Sequence, residues 1–91
     1  MKKTDEIKNL IESNYKNTKV HAISLSDMDM DYLLLKCTTG RNGIHPFIAQ
    51  RILNTYPDIR VVHFTGGWME AVYTRETLKY CGYKIKNHGE V

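Results

Sequence analysis

No run of apolar residues in this chain approaches the ~20 that a transmembrane helix needs, so the sequence predicts no membrane-spanning segment. The start of the chain has the paired lysines of a secretory signal, Lys2 and Lys3, but then turns acidic and amphipathic. Cysteine is scarce, with only Cys37 and Cys81, and without a secretory signal both are expected to be free thiols. These absences predict a cytoplasmic protein that does not associate with membranes.

A strong excess of charge of one sign is also absent. The net charge is +3 over 91 residues, and the lysines are scattered toward the two ends of the chain. Nucleic-acid-binding domains usually cluster Lys and Arg on one face, so no sequence-specific nucleic-acid partner is predicted. The 42% hydrophobic and 25% charged composition is that of an ordinary globular protein of one domain. Abundant Lys, Asn, Ile and Tyr fit an AT-rich bacterial or phage genome.

The spacing of apolar residues and the turn signals predict a single α/β or α+β domain of order α-β-β-α-β-(β)-α-β, with a mixed sheet of three to five strands covered by helices. The predicted elements are a helix over residues 5–14 capped by Thr4, strands over 20–26 and 32–37, a helix over 46–56, a strand over 59–65, a helix over 75–81 capped by Thr74 with Gly82 as its stop, and a short edge strand over 83–86. Residues 68–73 are compatible with either a strand returning from a hairpin or the start of a helix.

Three details of this arrangement can be tested against a structure. In the first strand, Ile23 and Leu25 are expected on one face, and Val20 and Ala22 on the other. The near-continuous apolar run over 32–37 indicates a central strand buried on both faces, and the short link after the second helix favours parallel pairing of 32–37 with 59–65. The apolar stripe of the second helix is expected to consist of Phe47, Ile48, Ile52, Leu53 and Tyr56.

The stretch over residues 33–53, LLLKCTTGRNGIHPFIAQRIL, is where the sequence points to chemistry. An apolar run ends in Cys37, and a glycine-containing loop leads to a helix that opens at Pro46. Loop amides, a helix N-terminus and the Arg41 guanidinium would then face one point, which is typical of an anion site. The residues predicted to bind a phosphate-like or nucleotide-like ligand are Thr38, Thr39, Gly40, Arg41, Asn42, Gly43 and His45.

The same electrostatics are expected to lower the pKa of the Cys37 thiol and make it more reactive than Cys81. The alternative interpretation is that Cys37 is a small buried hydrophobic residue and that Gly40 and Gly43 only turn the chain. Both interpretations are open at the level of sequence.

Part of the chain resembles the second half of a rhodanese-like domain. The residues that carry the resemblance are Ala22-Ile23-Ser24-Leu25, Leu34 to Arg41 (LLKCTTGR), Ala49-Gln50-Arg51-Ile52-Leu53 and Val61 to Trp68 (VVHFTGGW). In that family a strand is followed by an active loop of the form C-x-x-G-(x)-R and a helix, and a later strand ends in Gly-Gly before an aromatic residue. The resemblance implies a sulfurtransferase in which Cys37 carries a persulfide stabilised by Arg41 and the loop amides. The distance from Cys37 to the glycine pair is longer than in the family, and the family's preceding Asp-x-Arg strand is missing.

No other pattern indicates a cofactor or a metal. Asp27, Asp29 and Asp31 alternate as in an ion-binding loop, but the glycine and distant glutamate of an EF-hand do not follow, so a hairpin turn is expected. The histidines lack metal-ligand spacing with one another or with the cysteines. Trp68 and Tyr73 are candidates for an exposed aromatic surface that binds a partner.

Two functions follow as hypotheses. The first is a small non-enzymatic binding or accessory protein, phage or bacterial, that binds a protein partner or a small anionic ligand through residues 37–46. No carboxylate is placed to pair with a base and no histidine–acid pair is assigned to Cys37, so a complete catalytic set is lacking. The alternative is the sulfurtransferase or persulfide carrier acting through Cys37. A homodimer is compatible with either function.

Overall fold

The computed structural model describes residues 2–26, 31–40, 43–66 and 70–86, which together form one α+β domain. Within these ranges the elements are α1 (Lys3–Asn14), β1 (Lys19–Leu25), β2 (Tyr32–Thr38), α2 (His45–Thr55), β3 (Val61–Phe64), β4 (Ala71–Thr74) and α3 (Arg75–Tyr80). The predicted class and order are confirmed up to the last helix. None of the helices in the described part is long and apolar enough to cross a membrane.

The four strands of the described residues form one mixed sheet in the order β1-β2-β3-β4. β1 and β2 are antiparallel, β2 and β3 are parallel, and β3 and β4 are antiparallel. The parallel pairing confirms the prediction made from the short link after α2, which is the crossover that such a pair needs. For the described part of the ambiguous stretch 68–73, β4 decides in favour of a strand, because Ala71–Thr74 pairs with β3, whereas residues 68–69 lie outside the described residues.

The helices pack on one face of the sheet only. The core joins the buried side chains of all three helices to the inward-facing residues of the strands: Ile7, Ile11, Val20, Leu33, Leu35, Ile48, Ala49, Ile52, Leu53, Ile59, Val62, Phe64 and Leu78. The prediction that β2 is buried on both faces is therefore wrong. Leu33 and Leu35 are fully buried, whereas Tyr32 and Leu34 are each 38% exposed on the other side.

The side of the sheet on which no helix of the described residues packs is called the open face below. Strand register assigns to it Lys19, Ala22, Ser24, Tyr32, Leu34, Lys36, Thr38, Val61, His63, Val72 and Thr74.

A β-bulge in β1 overturns the predicted faces of this strand. The register with β2 shifts between Val20 and Ala22, leaving His21 as the extra residue. Val20 consequently lies opposite Cys37 on the covered face together with Ile23 and Leu25, so of the predicted pair Val20 and Ala22 only Ala22 is on the open face. The Val20 amide donates a hydrogen bond of 2.9 Å to Oε2 of Glu12, which connects the bulge to α1.

The second helix begins one residue earlier than expected, and its buried stripe is shifted. Its buried residues are Ile48, Ala49, Ile52 and Leu53. Phe47, predicted as part of the stripe, is 50% exposed and contacts the edge of the Tyr83 ring at a centroid distance of 5.3 Å. Tyr56 follows the helix as its C-cap and is partly buried against the core.

The ends of α3 confirm the predicted cap and stop, whereas the start of α1 contradicts the predicted cap. Thr74 and Thr77 form the reciprocal capping box at the start of α3, and Gly82 follows its end with a φ of 94°, a left-handed conformation that glycine adopts without strain. Thr4 is not a cap, because α1 already begins at Lys3 and its N-cap is Lys2, without a capping side chain.

Residues 83–86 are not a strand. The side-chain amides of Gln50 and Asn54 donate to the Lys84 carbonyl, and the Lys86 amide donates to Oδ1 of Asn54. Their backbone groups are thus satisfied by side chains of α2 rather than by a sheet partner.

We expect Ile52→Ala to lower the free energy of unfolding by about 2–5 kcal/mol, because Ile52 is fully buried between α2 and the sheet and the truncation leaves a cavity. Urea titration followed by circular dichroism measures this change. Gln50→Ala, two residues earlier in the same helix and not part of its buried stripe, serves as a milder comparison. A melting temperature for Ile52→Ala within a degree or two of the wild type would contradict this packing.

Candidate functional site

A cleft of about 310 Å³ opens where the parallel strands β2 and β3 end and α2 begins. Its lining consists of His21, Lys36, Cys37, Thr38, Thr39, His45, Phe64, Thr65, Gly66 and Ala71. The location follows from the topology, because parallel strands bring their carboxyl ends to the same edge of the sheet, where the crossover helix begins. Open α/β sheets commonly bind ligands in this crevice.

The strand β2 supplies one wall of the cleft. Its alternation places Lys36 and Thr38 on the open face and Cys37 on the covered face, while the chain continues into Thr39. The aliphatic stem of Lys36 lies across Gly66 at the end of β3, since a Cβ at Gly66 would come within 2.9 Å of Lys36 Cγ. Gly66 also has a φ of 110°, so glycine is favoured there both for space and for backbone conformation.

Two histidines enter the cleft from different elements. The bulge in β1 presents the His21 ring, whose Nε2 shares a hydrogen bond of 2.7 Å with the Thr38 hydroxyl. His45, the first residue of α2, contacts the edge of the Phe64 ring at a centroid distance of 4.6 Å. Its Nδ1 is buried without a hydrogen-bond partner among the described residues. Burial lowers the pKa of His45, which favours the neutral ring at pH 7.

The electrostatics of the cleft favour an anion. Among the described residues that line it there is one permanent cation, Lys36, and no carboxylate. The salt bridges of the described part lie elsewhere, between Lys3 and Asp58, Arg60 and Asp31, and His63 and Glu70. The N-terminal end of α2 adds the positive end of a helix dipole to the same region.

The prediction about the Cys37 thiol is wrong in direction. Cys37 lines the cleft but is half-buried, and burial raises its pKa above the ordinary value instead of lowering it. The cause is desolvation, because burial disfavours the charged thiolate. At neutral pH the group is therefore a protonated thiol.

Of the other predicted anion-binding residues, some line the cleft and others lie away from it. Thr38, Thr39 and His45 line the cleft together with Cys37. Gly40 instead packs on the turn after α1, because a Cβ there would lie 2.7 Å from Cβ of Asn17. Gly43 has a φ of 78° with open space around it and turns the chain into α2.

Several predictions fall on other parts of the chain. Arg41, Asn42 and Trp68 lie outside the described residues, as do Asp27 and Asp29. Asp31 forms a salt bridge of 2.6 Å with Nε of Arg60. Tyr73 is on the covered face, where its ring contacts the edge of Phe64 at 5.7 Å and burial raises its pKa.

Sequence reasoning missed His21, Lys36, Thr65 and Gly66. For three of them a signal was present: Lys36 is the one charge in the apolar run of β2, and Thr65-Gly66 follows a strand already predicted to be parallel to it. His21 had none, because the bulge that turns its ring into the cleft follows from pairing with β2. No group of three or more metal-binding side chains converges within the described ranges.

Comparison with known proteins gives no relative: no family model, curated protein or solved structure matches this chain.

The two thiols should react with an alkylating agent in the order Cys81, then Cys37, because Cys81 is exposed and Cys37 is half-buried with a raised pKa. Mass spectrometry after timed iodoacetamide treatment at neutral pH measures the order, and the single-cysteine variants Cys37→Ser and Cys81→Ser assign each rate. Labelling of native Cys37 ahead of Cys81 would contradict the effect of burial and support an activated thiol.

Proposed function

We propose that the protein is a small binding protein that holds a phosphate-like anion in the cleft between the ends of β2 and β3 and the start of α2. One observation carries the proposal: the described lining combines a lysine, two histidines and several threonines with no carboxylate. A surface of donors and positive charge without a competing negative group suits an oxyanion.

Each group has a distinct part in this proposal. The Lys36 ammonium supplies a point charge, and its stem is fixed across Gly66. The Thr38 hydroxyl can accept from Nε2 of His21 and donate its own proton to an anion oxygen. His45 provides a ring nitrogen that the described part of the protein leaves without a partner, and an anion beside it would favour the protonated ring.

Sulfate is the sharpest probe of this proposal, because its charge stays constant over the range in which phosphate and histidine both titrate. Isothermal titration should show saturable sulfate binding that Lys36→Gln weakens about tenfold, the effect of losing one charged hydrogen bond. Lys8→Gln, an exposed lysine of α1, removes the same charge away from the cleft and should leave the affinity unchanged. Equal affinities in both variants, or no binding, would contradict the proposal.

The pH dependence is a second test. Burial lowers the pKa of His45 and favours the neutral ring, whereas a bound anion would stabilise the protonated ring and raise this pKa. By linkage, the affinity for sulfate should increase as the pH falls from about 8 to about 5. His45→Asn should flatten this slope, and His21→Asn measures the contribution of the other ring. An affinity independent of pH would show that His45 does not face the anion.

The sulfurtransferase alternative has one observation in its favour, which is that Cys37 lines the same cleft. The raised pKa of the thiol counts against it, because attack on a sulfane sulfur requires the thiolate. Incubation with thiosulfate followed by cyanolysis tests it directly. Labile sulfur on the wild type and none on Cys37→Ser would support this function over simple anion binding.

A further inference from the structure

We infer that the ligand of the cleft is a single-stranded nucleic acid, with one phosphate in the cleft and the adjoining nucleotides on the open face of the sheet. The inference rests on the proposed function and extends it from the charge of the ligand to its class. It concerns binding that tolerates different sequences, which agrees with the expectation that no sequence-specific nucleic-acid partner exists.

The cleft and the open face are continuous. Lys36 and Thr38 line the cleft and also belong to the open face of β2. Along the same strand and on the same face, Leu34 and Tyr32 follow at intervals of about 7 Å. A ligand whose phosphate lies at Lys36 therefore extends over Leu34 and Tyr32 if it continues along β2.

The part of the open face next to the cleft has exposed apolar side chains on which nucleobases can stack. Tyr32 and Leu34 are each 38% exposed and Val72 is 50% exposed, so the uncovered sheet presents flat aromatic and aliphatic area. The Tyr32 ring is held in place by a hydrogen bond of 2.6 Å between its hydroxyl and Nδ1 of His63. A fixed, exposed aromatic ring beside a cationic groove is the combination on which single-stranded nucleic acids stack.

The positive charges of the open face lie near the cleft, where the phosphate of a polyanion would bind. Lys19 and Lys36 lie at the cleft end of the open face. Glu70 directly precedes the cleft-lining Ala71 at the start of β4 and is paired with His63, with Oε1 3.5 Å from Nε2. Duplex nucleic acid fits less well, because its bases are stacked on each other and not available to Tyr32.

Fluorescence anisotropy with labelled oligo-dT and oligo-U of about eight nucleotides tests the inference, since site sizes of this order are common among single-strand binders. Tyr32→Ala should weaken binding about tenfold, the effect of one lost stacking contact. Tyr32→Phe keeps the ring and should retain the affinity. Tyr80→Ala removes a tyrosine that is 93% exposed on α3, outside the open face, and should have no effect.

The salt dependence of the affinity distinguishes the electrostatic contribution of Lys36 from the stacking contribution of Tyr32. Lys36→Gln should weaken binding to all sequences and reduce the slope of log affinity against log salt by about one. Tyr32→Ala should weaken binding without changing that slope. An oligonucleotide affinity that falls in Lys36→Gln but is unchanged in Tyr32→Ala would show that the bases do not stack on the open face.

The remaining outcomes distinguish this inference from the proposed function. Sulfate binding by the wild type without oligonucleotide binding would refute the inference and leave the anion site intact, whereas absence of both would refute both. Duplex binding as tight as single-strand binding would also refute it. A dimer in light scattering that Leu34→Ser dissociates, with no oligonucleotide binding, would identify a second copy as the occupant of the open face.

Discussion

The parallel pairing of β2 with β3 is the constraint on which the rest of the molecule depends. Two parallel neighbours can be joined only by a chain that crosses a face of the sheet, and here α2 makes that crossing. The crossing covers one face with Ile48, Ile52 and Leu53 and sets His45 at the carboxyl ends of both strands. The position of the cleft and the covering of this face by α2 are therefore two results of one connection.

The helix that makes the crossing is also the element to which the last part of the described chain is attached. Nη2 of Arg75 donates to the carbonyls of Leu53 and Tyr56 at 2.8 and 3.0 Å, which satisfies carbonyls at the C-terminal end of α2. From the same helix, the side-chain amides of Gln50 and Asn54 donate hydrogen bonds to the Lys84 carbonyl. A domain of this size has a small hydrophobic core. These hydrogen bonds therefore hold α3 and the segment after it against α2 where few buried apolar contacts are made.

The sequence allowed local and near-local features to be predicted well. The parallel pair followed from a two-residue link, and the start and end of α3 followed from Thr74 and Gly82, because both depend on residues close together in the chain. What failed depends on partners distant in sequence. The bulge at His21 arises from pairing with β2, and the uncovered face follows from where α1 and α3 pack. The direction of the Cys37 pKa shift likewise required knowledge of how deeply the thiol is buried.

The bulge in β1 has a consequence for how the protein behaves at high concentration. β1 is an outer strand of the sheet, and such strands can recruit strands from other molecules into growing aggregates. Here the extra residue kinks the strand, and the Val20 amide is already occupied by the Glu12 carboxylate. An incoming strand would have to straighten the kink and displace a charged acceptor before its own hydrogen bonds could form. The distortion that turns His21 into the cleft thus also protects this margin of the sheet from fibril-like growth.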